Sequence, residues 1–343
     1  MILAGDVGGT KTVLGLFRRR RGKLESVRER TFPSRGYPSF LAVLDAFLED
    51  EERPVEAAGV GVAGPVVHGR TQVVNLRWPV DARAIARRLG LPHAHVMNDV
   101  EANAWGIPEL PRTKVANLTP GLAGAPGNAA LLAAGTGLGM AILFWDGERF
   151  RPSASEGGHQ GFAPCTDLEI ALLEFLRRRH GRVSTERVLA GPGLGAIYEF
   201  LVDRGWGKPS AALRVRGSGD PNARIAEAGL RGTDAVARKA LEMFVTVYGS
   251  VAGDLALVAR ATAGVWIGGG IVPKILPALR RAGAFVRAFR DKGRLGPFVE
   301  RIPVRVILEP RTALIGAAAC AAHRSVSLPG RSARVRASRK KRG

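Results

Sequence analysis

Residues 2–17 read ILAGDVGGTKTVLGLF and residues 129–145 read AALLAAGTGLGMAILFW. Each stretch sets a Gly-Thr turn between two short apolar runs: Gly8-Gly9-Thr10 in the first, Gly135-Thr136-Gly137 in the second. Such runs predict strand–turn–strand units. Glycines without Cβ let successive backbone N–H groups close on an anion. Taken singly, either unit reads better as an ordinary hairpin turn. The pair, far apart in the chain, predicts a nucleotide held from both sides of a cleft. A P-loop is the neighbouring reading, because residues 5–12 are GDVGGTKT. Thr10, however, stands where that motif needs its second glycine, and the β-prone residues that follow carry no helix start.

The chain has 343 residues, 46% hydrophobic and 24% charged. Those are globular proportions, with length enough for two domains. Two cysteines, Cys165 and Cys320, with no C-x-x-C spacing, argue against a disulfide scaffold or a zinc ribbon and fit a reducing compartment. Cys165 reads as a small buried apolar residue. Met1 runs straight into a strand with no basic leader. The long apolar stretch Ala129–Trp145 is interrupted by its own glycines, so a soluble, cytoplasmic protein without a membrane partner is expected. The formal net charge is +21, and +14 remains without the seven basic residues among the last thirteen. Nucleic-acid binding is one reading of that charge. An arginine-rich composition scattered over helix faces is the preferred one, since no DNA-binding motif is found and aromatic content is 6%. Non-specific contact through the tail is the exception.

Strands are predicted at 2–8, 12–18 and 24–32, a helix at 38–51, a strand at 60–63, a helix at 81–89 with Asp81 as N-cap, and a short strand at 94–97 ending on Asn98-Asp99, where a helix starts. The second half repeats the plan. Strand, Gly-Thr-Gly and strand are followed by helices at 168–180, 193–204 and about 233–262, strands at 264–267 and 304–308, and a closing helix at 312–323. Two halves of like plan predict an α/β protein built from a duplicated domain with a ligand cleft between. Residues 325–343 read as a basic, disordered tail.

Asp99, at the carboxyl end of a buried strand, is a candidate general base. The competing reading is a helix N-cap. Asn98 can donate to and accept from a sugar hydroxyl. Glu156 and His159, separated by Gly157-Gly158, suit recognition of vicinal hydroxyls. A zinc pair or a plain surface turn are the alternatives, the first lacking further ligands at useful spacing. Glu186, after Ser184-Thr185, reads alone as a first-turn helix glutamate.

The stretches GDVGGTKT, GVAGPV, VMNDVEANAWGIP, AAGTGLGMAIL, EGGHQGFAP, ERVLAGPGL, WIGGGIVPKIL and DKGRLGPF occur in that order. Through them the chain resembles the bacterial glucokinases, of the hexokinase–actin superfamily, from residue 2 to about 323. The resemblance implies two actin-like, ribonuclease-H-like domains: a small one at 1–109, to which a helix at 309–324 returns, and a large one at 110–308. It implies ATP-dependent phosphorylation of glucose at the 6-hydroxyl by a homodimer, with Asp99 as base. Asn75, Asn98, Glu156, His159 and Glu186 would bind sugar, with Trp78 near Asn75. Asp6 would position Mg²⁺ through water. Gly8, Gly9, Thr10, Lys11, Gly135, Thr136 and Gly137 would line the phosphates, and Gly268, Gly269 and Gly270 the adenosine.

Ser155 replaces a frequent glycine, and Gly161 stands where a related member has Asp, which predicts a more mobile loop after His159. The cysteine cluster of the related ROK sugar kinases is missing after His159, so no zinc is expected. Rival readings are a kinase for another hexose, a kinase using polyphosphate or ADP, and a sugar-responsive regulator without enzymatic activity.

Overall fold

The structure is a computed structural model that describes residues 1–326 apart from 73–75, 77, 123, 209, 211, 212 and 214–219. The basic tail expected beyond 325 lies almost wholly outside the described residues. The chain divides into two compact units, residues 1–110 with 311–343, and residues 111–310.

In the first unit, β1 (Ile2–Val7), β2 (Lys11–Arg20) and β3 (Lys23–Pro33) form an antiparallel meander. Helix α1 (Phe40–Leu48) follows, with the Ser39 hydroxyl accepting from the Ala42 amide. Then β4 (Ala57–Val62) joins β1 in parallel. A small two-stranded sheet, β5 (Arg70–Gln72) with β6 (Pro79–Asp81), precedes α2 (Ala82–Leu89). Asp81 caps α2 as expected, its carboxylate accepting from the Arg83 and Ala84 amides. Strand β7 (His95–Asn98) pairs in parallel with β4 and runs into α3 (Asp99–Gly106). The five-stranded order is β3-β2-β1-β4-β7.

The second unit starts with β8 (Val115–Thr119) and then repeats the meander in β9 (Ala129–Ala134), β10 (Leu138–Trp145) and β11 (Phe150–Ser155). Helices α4 (Asp167–His180), α5 (Thr185–Val188), α6 (Gly191–Asp203), α7 (Pro221–Arg231) and α8 (Ala235–Ala259) follow. Next come β12 (Gly264–Gly268), α9 (Val272–Arg280), α10 (Ala284–Arg290), α11 (Gly296–Glu300) and β13 (Val304–Ile307). The sheet order is β11-β10-β9-β12-β13-β8, with β12 parallel to β9 and to β13. Read from the meander, it repeats the first sheet and adds β8 at the far edge, so the duplicated plan expected from the two Gly-Thr stretches is present in the strand order. Strand β11 had no counterpart in the sequence reading. It is an edge strand, FRPSAS, where a proline costs no ladder hydrogen bond.

Helix α8 forms much of the second core. Among the described residues it is the helix long and apolar enough to cross a membrane, yet seventeen of its residues are buried within this unit. Its Tyr248 is fully buried, and the hydroxyl donates toward the carbonyls of Leu132 and Gly268, 3.3 and 3.4 Å away. The phenol therefore ties β9 to β12 just before each strand enters its glycine turn, and burial pushes its pKa up.

The closing helix α12 (Thr312–Val326) packs in the first unit against α3, β1 and β4. The approach is close because its facing residues are small. A Cβ on Gly316 would overlap the Ala102 carbonyl oxygen, and one on Gly59 would overlap that of Ala317. Leu314, Ala317, Ala318 and Ala321 complete a buried cluster with Ile2, Ala4 and Phe17.

Candidate functional site

In the first unit the turn Gly8–Thr10 joins β1 to β2. The Gly8 amide donates to the Lys11 carbonyl at 3.0 Å. Ser34, fully buried, braces the turn from outside the hairpin. Its hydroxyl donates to the Gly8 carbonyl at 2.8 Å and meets the Thr12 hydroxyl at 2.9 Å, while its amide donates to the Thr10 carbonyl at 3.0 Å. Thr10 and Lys11 face solvent. No signal in the sequence singled out Ser34, because the contact joins residues that only the β2–β3 pairing brings together.

Asp6 is the penultimate residue of β1 and Asp99 follows the end of β7, so the parallel strands bring both carboxylates to the same end of the sheet. Burial, then the charge of Asp99, push the Asp6 pKa up to about 6, against a smaller opposing pull from Lys11. A buried carboxylate raised by a second carboxylate is an arrangement that a cation or a proton would relieve. Their hard oxygen donors suit Mg²⁺, which keeps several waters and takes its remaining ligands from phosphates. Among the described residues no three His, Cys, Asp or Glu side chains gather into a fuller metal cage.

The helix N-cap is Asn98 rather than Asp99. The Asn98 Oδ1 accepts from the Val100 amide at 2.8 Å, and its Nδ2 donates to the Gly64 carbonyl at 3.1 Å. The amide expected to meet a sugar hydroxyl thus already links α3 to the end of β4, leaving one N–H and one lone pair for another partner. Asp99 accepts from the Val100 amide at 3.0 Å, and its own carbonyl accepts from Asn103 Nδ2 at 2.9 Å. Trp78 is buried in the first core. Asn75 lies outside the described residues.

The second Gly-Thr turn is enclosed differently. The Gly135 amide donates to the Gly137 carbonyl at 2.8 Å, and the Gly135 carbonyl accepts from the Gly191 amide at 2.9 Å. The Glu186 carboxylate accepts from the Leu138 amide at 2.9 Å. Glu186 is in the first turn of α5, as read from sequence, but the Ser184 hydroxyl makes no cap bond. At the next peptide, Gly158 lies against the Leu138 carbonyl, where a Cβ would not fit. Gly269, at φ +92°, crosses the end of β9 so closely that a Cβ would overlap the Ala134 carbonyl oxygen. Thr136 faces solvent, as do Gly269 and Gly270, whereas Gly268 is buried.

Glu156 and His159 flank the short 3-10 turn Gly157–His159, and both are exposed. The segment is pinned to the chain just before Glu186. Arg182 Nη2 donates to the His159 carbonyl at 2.8 Å, and the Thr185 amide to the Gln160 carbonyl at 2.9 Å. Gly161 pairs with Ser184 in an isolated bridge. The loop after His159 is therefore anchored at His159, Gln160 and Gly161. Glu156, His159 and Glu186 are brought to one neighbourhood around Leu138. Cys165, expected to be buried, is exposed, with its Sγ 3.4 Å from the Ser250 hydroxyl.

Beside this turn opens a cavity of about 320 Å³ with Gly191, Leu194, Asn222, Phe244, Ile271 and Lys274 in its wall. Gly191 joins the cavity directly to the Gly135 carbonyl, and the Ile271 amide points to the Ala134 carbonyl at 3.4 Å. Apolar walls with a polar rim suit a flat heterocycle. Gly268–Gly270, expected beside the adenosine, are not in this wall but lead directly into Ile271, which is. The GPG at 191–193 was a visible signal for the rest.

A family model described as Glucokinase matches residues 3–324. A glucokinase of Nostoc punctiforme is 38% identical over 338 residues, covering 94% of this chain and 99% of that protein. A solved glucokinase from an Antarctic psychrotroph superposes with a TM-score of 0.83 at 30% identity, over 94% of this chain and 98% of its own. A ROK family glucokinase from Streptomyces griseus, solved with glucose and AMPPNP, shares the fold at a TM-score of 0.58 and 24% identity, over 94% and 99% of the two chains.

Proposed function

This chain belongs to the glucokinase family, and we propose that it transfers the terminal phosphoryl group of ATP to the 6-hydroxyl of glucose, giving glucose 6-phosphate and ADP. The observation that carries the reading is the pairing of Asp6 and Asp99 at the carboxyl ends of parallel strands beside a Gly-Thr hairpin. Asp99 takes the proton of the 6-hydroxyl as that oxygen forms its bond to the γ-phosphorus. The bond from phosphorus to the bridging oxygen breaks, and its electrons leave with ADP. Transfer of this kind depends on positioning and charge neutralisation more than on covalent chemistry. Asp6 positions Mg²⁺, which when bound neutralises phosphate charge.

Glu156, His159 and Glu186 hold sugar hydroxyls, Asn98 contributes its remaining amide valences, and Asn75 is carried over from the family pattern. The amides of Gly8, Gly9, Thr10, Gly135, Thr136 and Gly137 line the phosphates, with Lys11 adding positive charge. The cavity bounded by Gly191, Ile271 and Lys274 takes the adenosine, reached from Gly268–Gly270. The joining of that cavity to the Gly135 turn supports a nucleotide rather than a bare phosphate chain. We place the enzyme in the cytoplasm as a homodimer.

The test is phosphoryl transfer to glucose, mannose, fructose and N-acetylglucosamine from Mg-ATP, with ADP and polyphosphate in parallel. The expected outcome is glucose 6-phosphate from ATP at a kcat/KM well above that of every other pair. Transfer to none of these sugars by folded protein overturns the kinase reading, and preference for another sugar or donor redirects it.

A further inference from the structure

The first unit holds a second gathering of charged and imidazole groups that the proposed reaction does not use. A cavity of about 540 Å³ is lined by His68, Arg83, His93, His95 and Arg324, the rest of its wall being glycine, alanine and proline. Four separate stretches of chain supply the five side chains. His68 and Gly69 form a two-residue turn closed by hydrogen bonds between Val67 and Arg70 at 2.9 and 3.0 Å. Both turn residues have positive φ, +52° and +73°. That conformation is uncommon for a residue with a side chain, though histidine is among those that adopt it. The Ala82 amide donates to the Gly69 carbonyl at 3.0 Å and clamps the turn to the start of α2. Arg83 is in the first turn of α2, His93 precedes β7, His95 opens β7, and Arg324 is near the end of α12.

Arg83 and Arg324 bring positive charge to the cavity, and no carboxylate is among its described lining residues, Glu101 acting on Arg324 from outside it. Burial, the charge of Arg324 and the neighbouring His93 push the His95 pKa down to about 4. Two guanidinium groups present planar forks of N–H donors that match tetrahedral oxyanions, and three imidazoles can add single N–H donors. The volume exceeds what a lone phosphate fills and falls within the range of small-molecule pockets.

We propose that this cavity is a binding site for a phosphate dianion, carried on a small phosphomonoester such as a sugar phosphate or taken free from solution. The proposal stands on the first unit alone and does not rest on the kinase reading. Binding here would act on β7, whose far end carries Asn98 and leads into Asp99.

The experiment uses the full chain. Its imidazole NMR signals are followed while inorganic phosphate, glucose 6-phosphate or uncharged glucose is added at fixed ionic strength, and calorimetry supplies affinities. The chain has six histidines, so the signals are assignable by single His→Gln variants. Both phosphates are expected to move the signals of His68, His93 and His95, and glucose to leave them in place. Arg83→Gln combined with Arg324→Gln is expected to weaken this response at least tenfold, while Arg112→Gln, exposed on another surface, leaves it unchanged. If the double variant melts early, His93→Gln alone carries the test with an expected loss of threefold or more. A tighter response to glucose 6-phosphate identifies the phosphomonoester as occupant, and an equal response identifies free phosphate. Immobile signals, or a response that the cavity variants leave intact, overturn the proposal.

Discussion

The two Gly-Thr hairpins occupy the same station in two sheets of like order, yet they are held in opposite ways. The first is open. A neutral hydroxyl, Ser34, braces it, and its charged neighbours are the carboxylates Asp6 and Asp99. The second is boxed in by Glu186, Gly158, Gly191 and Gly269, and a cavity opens beside it. A duplicated supersecondary unit thus keeps its strand order while its surroundings diverge. Under the proposed reaction, the first hairpin would serve the reacting groups and the second would grip the nucleotide.

The largest effect that can break this division is on rate. Asp99→Asn is expected to leave the circular dichroism spectrum and melting temperature near wild type and to lower kcat by about 10²-fold or more. Turnover within a few-fold of wild type would remove the base from the first unit. The next test is steric. Gly269→Ala is expected to cost about 3 kcal/mol in urea denaturation, from its positive φ and its overlap with Ala134. Gly8→Ala, whose new Cβ would meet nothing nearer than the Lys11 carbonyl at 3.3 Å, should cost about 1 kcal/mol or less. Equal costs would erase the contrast between an open and an enclosed turn.

Ser34→Ala leaves the Gly8 carbonyl and the Thr12 hydroxyl without their shared partner and is expected to cost about 1–2 kcal/mol, read by the same urea midpoints. Glu186→Gln retains an acceptor for Leu138 and should barely change stability. It is expected to raise the glucose KM by about tenfold, the scale of one charge-assisted hydrogen bond, with a smaller change in kcat. Loss of stability without change in KM would make Glu186 a brace only. The smallest effect is a gain. The pKa of Asp6 is raised in the fold, so its ionised form is penalised above about pH 6, and the penalty fades as pH falls through that value. Asp6→Asn should therefore raise the melting temperature of metal-free protein at pH 8 by about 2–4 °C, with the gain shrinking at pH 5. A loss of stability at pH 8 would show that the carboxylate braces the hairpin.

The parts of the fold legible in the sequence were those where one stretch suffices. Apolar runs around Gly-Thr turns marked both meanders, Asp81 marked a helix start, and the small residues 312–323 marked the closing helix. What escaped was decided by partners elsewhere in the chain. Strand β11 is polar and contains Pro152, so only pairing with β10 makes it a strand. Helix α9 carries Pro273 and Pro277, which a propensity reading takes as breaks. Within the candidate site, the glycine turns were visible as chemistry. Asp99, Glu156, His159 and Glu186 stayed ambiguous residue by residue until the family resemblance ordered them. Ser34, Arg182 and Tyr248 were invisible, because each acts through a backbone group distant in sequence.

The contact of α12 with α3, β1 and β4 bears on how the chain is made. The second unit is continuous in sequence, so every residue it needs has been synthesised once position 310 is reached. The first unit, though translated earlier, lacks the helix that covers Ile2, Ala4 and Phe17 until residues 312–326 emerge. Domains fold as units when their chain is complete. The first unit, begun first, is thus completed no earlier than the second, and the surroundings of its carboxylates wait on the last helix.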